Sequence, residues 1–193
     1  MHPHSHLAEY SGILQADAFS GYDQLYKSGQ VTEAGCMAHA RRKFNDVQAR
    51  TPTAETAEAL RRFGELYAIE AEIRGSPAEE RLAVRQEKSL PLMASLNEWR
   101  QKQNKTLSAI SGLKEAYRYM DNHWNALNTF CQSGWADIDN NIAENALRLV
   151  AQGRKNYLFV GSASGGENAA LMYSLIVTCK LNGVDPEAWL RYV

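Results

Sequence analysis

Cysteine, proline and net charge are all scarce in this chain of 193 residues. Its three cysteines, Cys36, Cys131 and Cys179, are odd in number and scattered. That excludes a disulfide framework and points to a reducing compartment. A formal charge of −1 excludes a nucleic-acid binder that works through bulk charge alone. The most apolar run, Ala169–Cys179, is too short to span a bilayer and contains Ser174 and Thr178. No secretory pattern opens the chain, so a cytoplasmic protein without a membrane partner is expected.

Several local signatures are missing as well. Gly161-Ser-Ala-Ser-Gly-Gly166 lacks the lysine and the spacing of a phosphate-binding P-loop, and reads as a tight strand-to-helix connection. Cys36-x-x-His39 has the form of half a zinc site, but no second pair has matching spacing. Packing of the cysteine, with a polar or DNA-facing histidine, accounts for both residues. No Ser-His-Asp order is legible, and nothing supports a small-molecule cofactor. Three of the five histidines fall in Met1–His6, where a polar terminus suffices to explain them.

What is present reads as a helix-rich α/β chain. Gly12–Asp17 predicts a short buried strand ending in a carboxylate, closed off by Ser20-Gly21. One or two helical turns follow over Tyr22–Tyr26, then a second strand over Val31–Met37 and a basic helix over Ala38–Arg50. From Ala54 to Lys105, nine acidic and nine basic residues mix with helix formers. Leu60, Phe63, Tyr67 and Ala71 recur there at helical spacing, and Gly75-Ser76-Pro77 ends that helix. A second helix starts at Ala78, with Ser89-Leu90-Pro91 breaking or kinking it. This is a helical hairpin inserted in a parent domain, giving residues 54–131 as insertion and 1–53 with 132–193 as parent. Leu113, Ala116, Tyr117, Met120, Trp124, Leu127 and Cys131 share one face of a long helix, and read as core. Tyr157–Val160 predicts a strand, Glu167–Leu181 a buried helix, and Asp185-Pro186 the start of a last short helix.

The chemistry concentrates in two places. Asp139-Asn-Asn-Ile-Ala-Glu-Asn-Ala-Leu-Arg148 sets two carboxylates, amides and an arginine where a loop becomes a helix. Asn140 or Asn141 is the expected N-cap, and Glu144 lies in the first turn, where the helix dipole favours negative charge. Asp17, at the end of an apolar strand, is the other conspicuous carboxylate. A strand-end Asp and a helical Glu can converge on a hard divalent cation, although a chain with 22 acidic residues offers many such pairs. Arg41, Arg42 and Lys43, with Arg154 and Lys155, adjoin both segments and are candidate phosphate contacts.

Five ordered segments resemble bacterial transposases of the insertion-sequence-66 type. They are Gly12-Ile-Leu-Gln-Ala-Asp17 with Gly21-Tyr22, Gly35-Cys-Met-Ala-His-Ala-Arg-Arg-Lys-Phe44, Ile138-Asp-Asn-Asn-Ile-Ala-Glu144, Gly153-Arg-Lys-Asn-Tyr-Leu-Phe159 and Lys180-Leu-Asn-Gly-Val-Asp-Pro186. The resemblance implies an RNase H-like fold with a helical insertion between the second catalytic Asp and the Glu. It implies a DDE site of three carboxylates binding two Mg²⁺ or Mn²⁺ ions, which cuts transposon ends and joins them to target DNA. By motif, Asp17 resembles the second Asp and Glu144 the Glu, both as catalytic metal ligands. Asp139, Asn140 and Asn141 would shape the approach to Glu144. His39, Arg41, Arg42, Lys43, Arg148, Arg154 and Lys155 are the implied DNA contacts, and other transposase subunits are expected partners.

Two departures stand out. The only acidic residue before Asp17 is Glu9, outside any strand, so the first Asp of the triad is missing. Asn145 stands where that resemblance implies a basic residue. The chain is therefore expected to be an incomplete RNase H-like domain, the C-terminal part of a transposase, inactive or nearly so alone. A non-catalytic remnant that binds DNA or other transposase subunits is the competing expectation.

Overall fold

The computed structural model describes residues 3–105, 112–153 and 161–193, and among them helix dominates. Two compact units, Met1–Asn140 and Asn141–Val193, make up the chain. In the first, a single turn, α1 (Pro3–His6), precedes β1 (Gly12–Gln15). β1 pairs in parallel with β2 (Val31–Ala34), Gly12 opposite Val31 and Gln15 opposite Ala34. Parallel strands need a crossover, supplied here by a 3₁₀ turn at Ser20–Tyr22 and by α2 (Asp23–Lys27). Both strands are shorter than their apolar runs predict. β2 ends because Gly35 turns the chain, its N–H donating to the Ala126 carbonyl at 2.8 Å. A Cβ on Gly35 would sit 3.1 Å from the Leu127 backbone nitrogen, so only glycine allows this approach comfortably.

α3 (Met37–Arg50) buries Met37, Ala40 and Phe44, one face at helical spacing. α4 (Ala54–Glu72) opens on a reciprocal cap between Thr53 and Thr56. Its core face is Thr56, Ala59, Phe63, Leu66 and Ile69. Of the expected stripe, Phe63 is fully buried while Ala71 is exposed. The face is rotated because the inward position at residue 70 is a glutamate, which apolar periodicity passes over. α5 (Ala78–Val84) runs through a π-helical turn, Arg85–Ser89, into α6 (Leu90–Asn104). Pro91 therefore does not break the helix. The wider turn just before it relieves the clash between a proline ring and the carbonyl four residues back.

α7 (Gly112–Asn128), extended by a 3₁₀ turn at Thr129–Gln132, buries Leu113, Ala116, Tyr117, Met120, Leu127 and Cys131, the face its spacing predicts. Phe44 meets Tyr117 edge-on at 5.2 Å between ring centres and Phe63 at 5.6 Å. Helices α3, α4, α6 and α7 thus share one core with the strand pair.

The largest fully buried side chain is charged. Arg85 is 0% exposed, and its Nε and Nη2 grip both oxygens of Glu70, at 2.8 and 2.6 Å. Its Nη1 donates to the carbonyls of Ser133 at 2.6 Å, Ala136 at 2.7 Å and Phe130 at 3.3 Å. Gln86 adds a bond to the Cys131 carbonyl at 2.6 Å. The same loop presses on α5 so closely that a Cβ at Gly134 would lie 1.8 Å from the Ala78 carbonyl oxygen.

The second unit holds α8 (Asn141–Gly153), α9 (Ala163–Leu181) and α10 (Pro186–Tyr192), the last capped by Asp185. The Gly/Ser loop expected at residues 161–166 is mostly helix: Ser162 accepts from the Gly165 N–H and caps α9 about one turn earlier than glycine content suggests. α9 is not the buried helix its apolar run predicts. Leu171, Met172 and Leu181 are exposed and only Cys179 is buried among its described side chains, because the helices described for this unit enclose little core. The strand expected at Tyr157–Val160 lies outside the described residues. No helix among the described residues is long and apolar enough to cross a membrane.

Two outcomes follow from this packing. Arg85→Met should cost about 3–5 kcal/mol in urea unfolding, since it strands the buried Glu70 carboxylate. Glu70→Leu added to it should recover part of that loss, the unmet loop carbonyls keeping the recovery incomplete. Burial also pushes the Cys131 thiol up to about 12 from 9.0, outweighing the opposing Arg85 charge. Above pH 9.0 the unfolded thiol loses its proton before the folded one does. Stability should therefore fall as pH rises through that window, by up to about 1.4 kcal/mol per pH unit for this group. Cys131→Ala should flatten that slope in urea titrations at stepped pH.

Candidate functional site

Asp17 owes its position to the strand pair. The Ala16 N–H still donates to the Ala34 carbonyl at 3.1 Å, which carries the ladder one step past β1 and leaves Asp17 exposed just beyond its carboxyl end. Ligand-binding groups in open α/β sheets collect at that end. The next residue, Ala18, has φ 63, the left-handed region that disfavours a Cβ. Strain of this kind, right beside a candidate ligand, is characteristic of functional turns.

His39 arrives from the other strand. Gly35 and Cys36 turn the chain from β2 into α3, and His39 sits half-buried in the first turn, its N–H on the Cys36 carbonyl at 3.2 Å. A carboxylate oxygen of Asp17 and a ring nitrogen of His39 lie within 4.8 Å of one another. Cys36 itself is buried. Burial pushes its thiol up, against the backbone amides of Asn140, His39 and Ala38 that hydrogen-bond it. It behaves as a packed residue held by amides.

The segment 137–140 is pinned alongside. The Gln15 side chain donates to the Asp137 carbonyl at 2.6 Å and accepts from the Asp137 N–H at 3.3 Å. The Met37 N–H donates to the Ile138 carbonyl at 3.0 Å. From the helical hairpin, Arg81 pairs with the Asp137 carboxylate, and the Tyr67 hydroxyl donates to Asp139 at 2.8 Å. Burial, then that bonded carboxylate, pushes the Tyr67 hydroxyl far above its ordinary range. The Asn140 side-chain oxygen is shielded from solvent and accepts no hydrogen bond among the described residues. Of the two expected caps, Asn140 and Asn141, the Asn140 oxygen thus makes no capping bond among the described residues.

The basic residues divide. Arg41 is exposed with its guanidinium 5.6 Å from the Tyr67 ring centre, and Arg42 is exposed beside it. Lys43 is half-buried, its ammonium 5.0 Å from the ring of Tyr119. Burial pushes the Tyr119 hydroxyl up to about 12, so it stays neutral. In the second unit Glu144 is half-buried in the first turn of α8, and Arg148 is exposed one turn later. Arg154 and Lys155 lie outside the described residues. The Gln15 clamp, the Tyr67–Asp139 bond and the Arg81 and Arg85 contacts escape sequence reasoning. Each joins residues far apart in the chain, with no spacing to mark them.

Residues 1–168 match the family model described as transposase IS66 family, and residues 174–193 match the IS66 C-terminal element. The chain belongs to the IS66 family of transposases. Among its relatives, the uncharacterized protein y4hP of Sinorhizobium fredii is 44% identical over 208 residues, covering 100% of this chain and 38% of that protein. The uncharacterized protein y4jD of the same organism is 41% identical over 193 residues, 97% of this chain and 38% of that one. This IS66 chain therefore spans well under half the length of the curated relatives it matches. No solved structure matches it.

The left-handed Ala18 in this family member gives a direct test of stored strain. Ala18→Gly should raise unfolding stability by about 1 kcal/mol, read as a higher urea midpoint at unchanged slope.

Proposed function

We propose that this chain forms part of the catalytic region of an IS66-family DDE transposase, contributing Asp17 and Glu144 to a divalent-metal site for phosphoryl transfer on DNA. The observation that carries the reading is Asp17 itself. It stands beyond the carboxyl end of a parallel strand, next to an imidazole, in the motif order of the family. An RNase H-like sheet is the fold we infer for the parent enzyme, with residues 54–131 as its helical insertion.

The donor set fits hard or borderline divalent ions, which take carboxylate oxygens and, for Mn²⁺, imidazole readily. Bound there, Mg²⁺ or Mn²⁺ would activate a water or DNA 3′-hydroxyl and stabilise the leaving oxygen. The chain's own residues do the rest. Arg41 and Arg42 stand exposed to neutralise backbone phosphates, Lys43 sits over Tyr119, and Arg148 is exposed on α8. Asp139, tied to Tyr67, keeps the 137–140 segment in one geometry, and positioning of that kind supplies much of the rate in phosphoryl transfer.

Of the three carboxylates that DDE chemistry uses, this chain offers two. That count favours a second reading, a DNA-binding or transposase-interacting element without activity of its own. Both readings predict that the chain retards transposon-end DNA at low salt, and that Arg41→Ala with Arg42→Ala lowers the salt slope by about 2. Absence of retardation at low salt would remove DNA as a partner. With Mn²⁺ the chain alone should nick such DNA at background level only. Robust nicking, abolished by Glu144→Gln, would overturn the requirement for a third carboxylate.

A further inference from the structure

We infer that His39 is a metal ligand, and that with Asp17 it forms a mixed carboxylate–imidazole half-site that selects Mn²⁺ over Mg²⁺. This rests on the metal-site reading above and changes what the histidine does: it becomes a ligand where DNA contact was expected.

The argument begins with separation. A ligand oxygen or nitrogen lies about 2.0–2.2 Å from its ion, so two ligands of one ion stand at most about 4.4 Å apart. Asp17 and His39 present such atoms within 4.8 Å, which a small rotation of either side chain closes. The two arrive from separate strands of the same parallel pair, Asp17 just after β1 and His39 at the start of α3 after β2. Each is held by the backbone before it: the ladder reaches Ala16, and Gly35 is bonded to the Ala126 carbonyl. Ligands fixed on rigid elements lose little freedom on binding.

Burial supports the same role. Asp17 is exposed and able to receive an ion from solvent, while His39 is half-buried. A residue meant to meet a phosphate backbone is better served by the exposure of its neighbours Arg41 and Arg42. Cys36, three residues before His39, is withdrawn into the core with backbone amides on its sulfur, so the pair does not constitute half a zinc site. The chemistry then sets the selectivity. Imidazole is a poor ligand for Mg²⁺, which demands oxygen, and a good one for the later divalent ions.

The test is electron-spin-echo spectroscopy of Mn²⁺ added to the intact chain, alongside titrations of binding for the native protein, Asp17→Asn and His39→Gln. Native protein should show nitrogen modulation from a directly bound imidazole. His39→Gln should abolish it and weaken Mn²⁺ by at least roughly tenfold, with Mg²⁺ affinity far less changed. Circular dichroism of each variant establishes that it is folded, and His39→Asn serves as a second replacement should His39→Gln unfold. Mn²⁺ bound in an Asp17-dependent manner, but without nitrogen modulation and indifferent to both His39 variants, would overturn the role of His39 and leave the metal site standing. Mn²⁺ binding indifferent to Asp17→Asn, or none at all, would overturn the metal-site reading beneath it.

Discussion

A single buried guanidinium organises the first unit. Arg85 joins Glu70 on α4 to three carbonyls of the loop that follows α7. A charge at 0% exposure is tolerable only when every donor is met, and here Nε, Nη1 and Nη2 all are. The consequence is geometric. Beyond the 3₁₀ turn, the loop from Ser133 to Ala136 has no regular structure of its own to fix it, yet it must deliver residues 137–140 beside the strand ends. Arg85 supplies from the hairpin the hydrogen bonds that a sheet or helix would otherwise provide. The π turn that contains it, and Gly134 against Ala78, are the backbone concessions that make room.

From that anchor the constraint passes residue by residue. Arg81 holds the side chain of Asp137, Gln15 holds its backbone, Met37 holds Ile138 and Tyr67 holds Asp139. Two of the four come from the hairpin and two from the strand pair and the helix after it. The hairpin is therefore part of the scaffold of the Asp17 neighbourhood rather than an appendage to it. Its sequence is mostly interchangeable helix formers and surface charge. The positions that matter for the neighbourhood are few: Tyr67, Glu70, Arg81 and Arg85.

Much of the frame was legible in the sequence, and for identifiable reasons. The faces of α3 and α7 follow from apolar spacing, and β1 with its terminal carboxylate from a short apolar run closed by Ser20-Gly21. α4 was displaced by one position because its inward Glu70 carries a charge whose partner lies fifteen residues on, in a helix of its own. Ser89-Leu90-Pro91 predicts a break or a kink, and a wider turn absorbs the proline. The apolar run of α9 predicts burial, yet burial depends on what is available to cover it. The positions of the candidate residues were legible in part: Asp17 announces itself by a strand end and Glu144 by a helix start. The nearness of Asp17 to His39 could not be read, since it depends on the parallel register of two strands that no local pattern specifies.

That register also decides what kind of site this is. In a parallel pair both carboxyl ends face the same way, so residues that follow β1 and β2 meet at one edge. Had the strands run antiparallel, Asp17 and His39 would lie at opposite ends of a four-residue ladder, on the order of 10 Å apart at the usual rise per residue. The crossover through α2 is therefore what brings a carboxylate and an imidazole to the same place. Arg41 and Arg42, one turn further along α3, then stand next to that edge. The same short stretch of chain thus brings together the proposed ligands for an ion and two exposed cations that could meet a phosphate backbone. Changing the strand register would separate Asp17 from both at once.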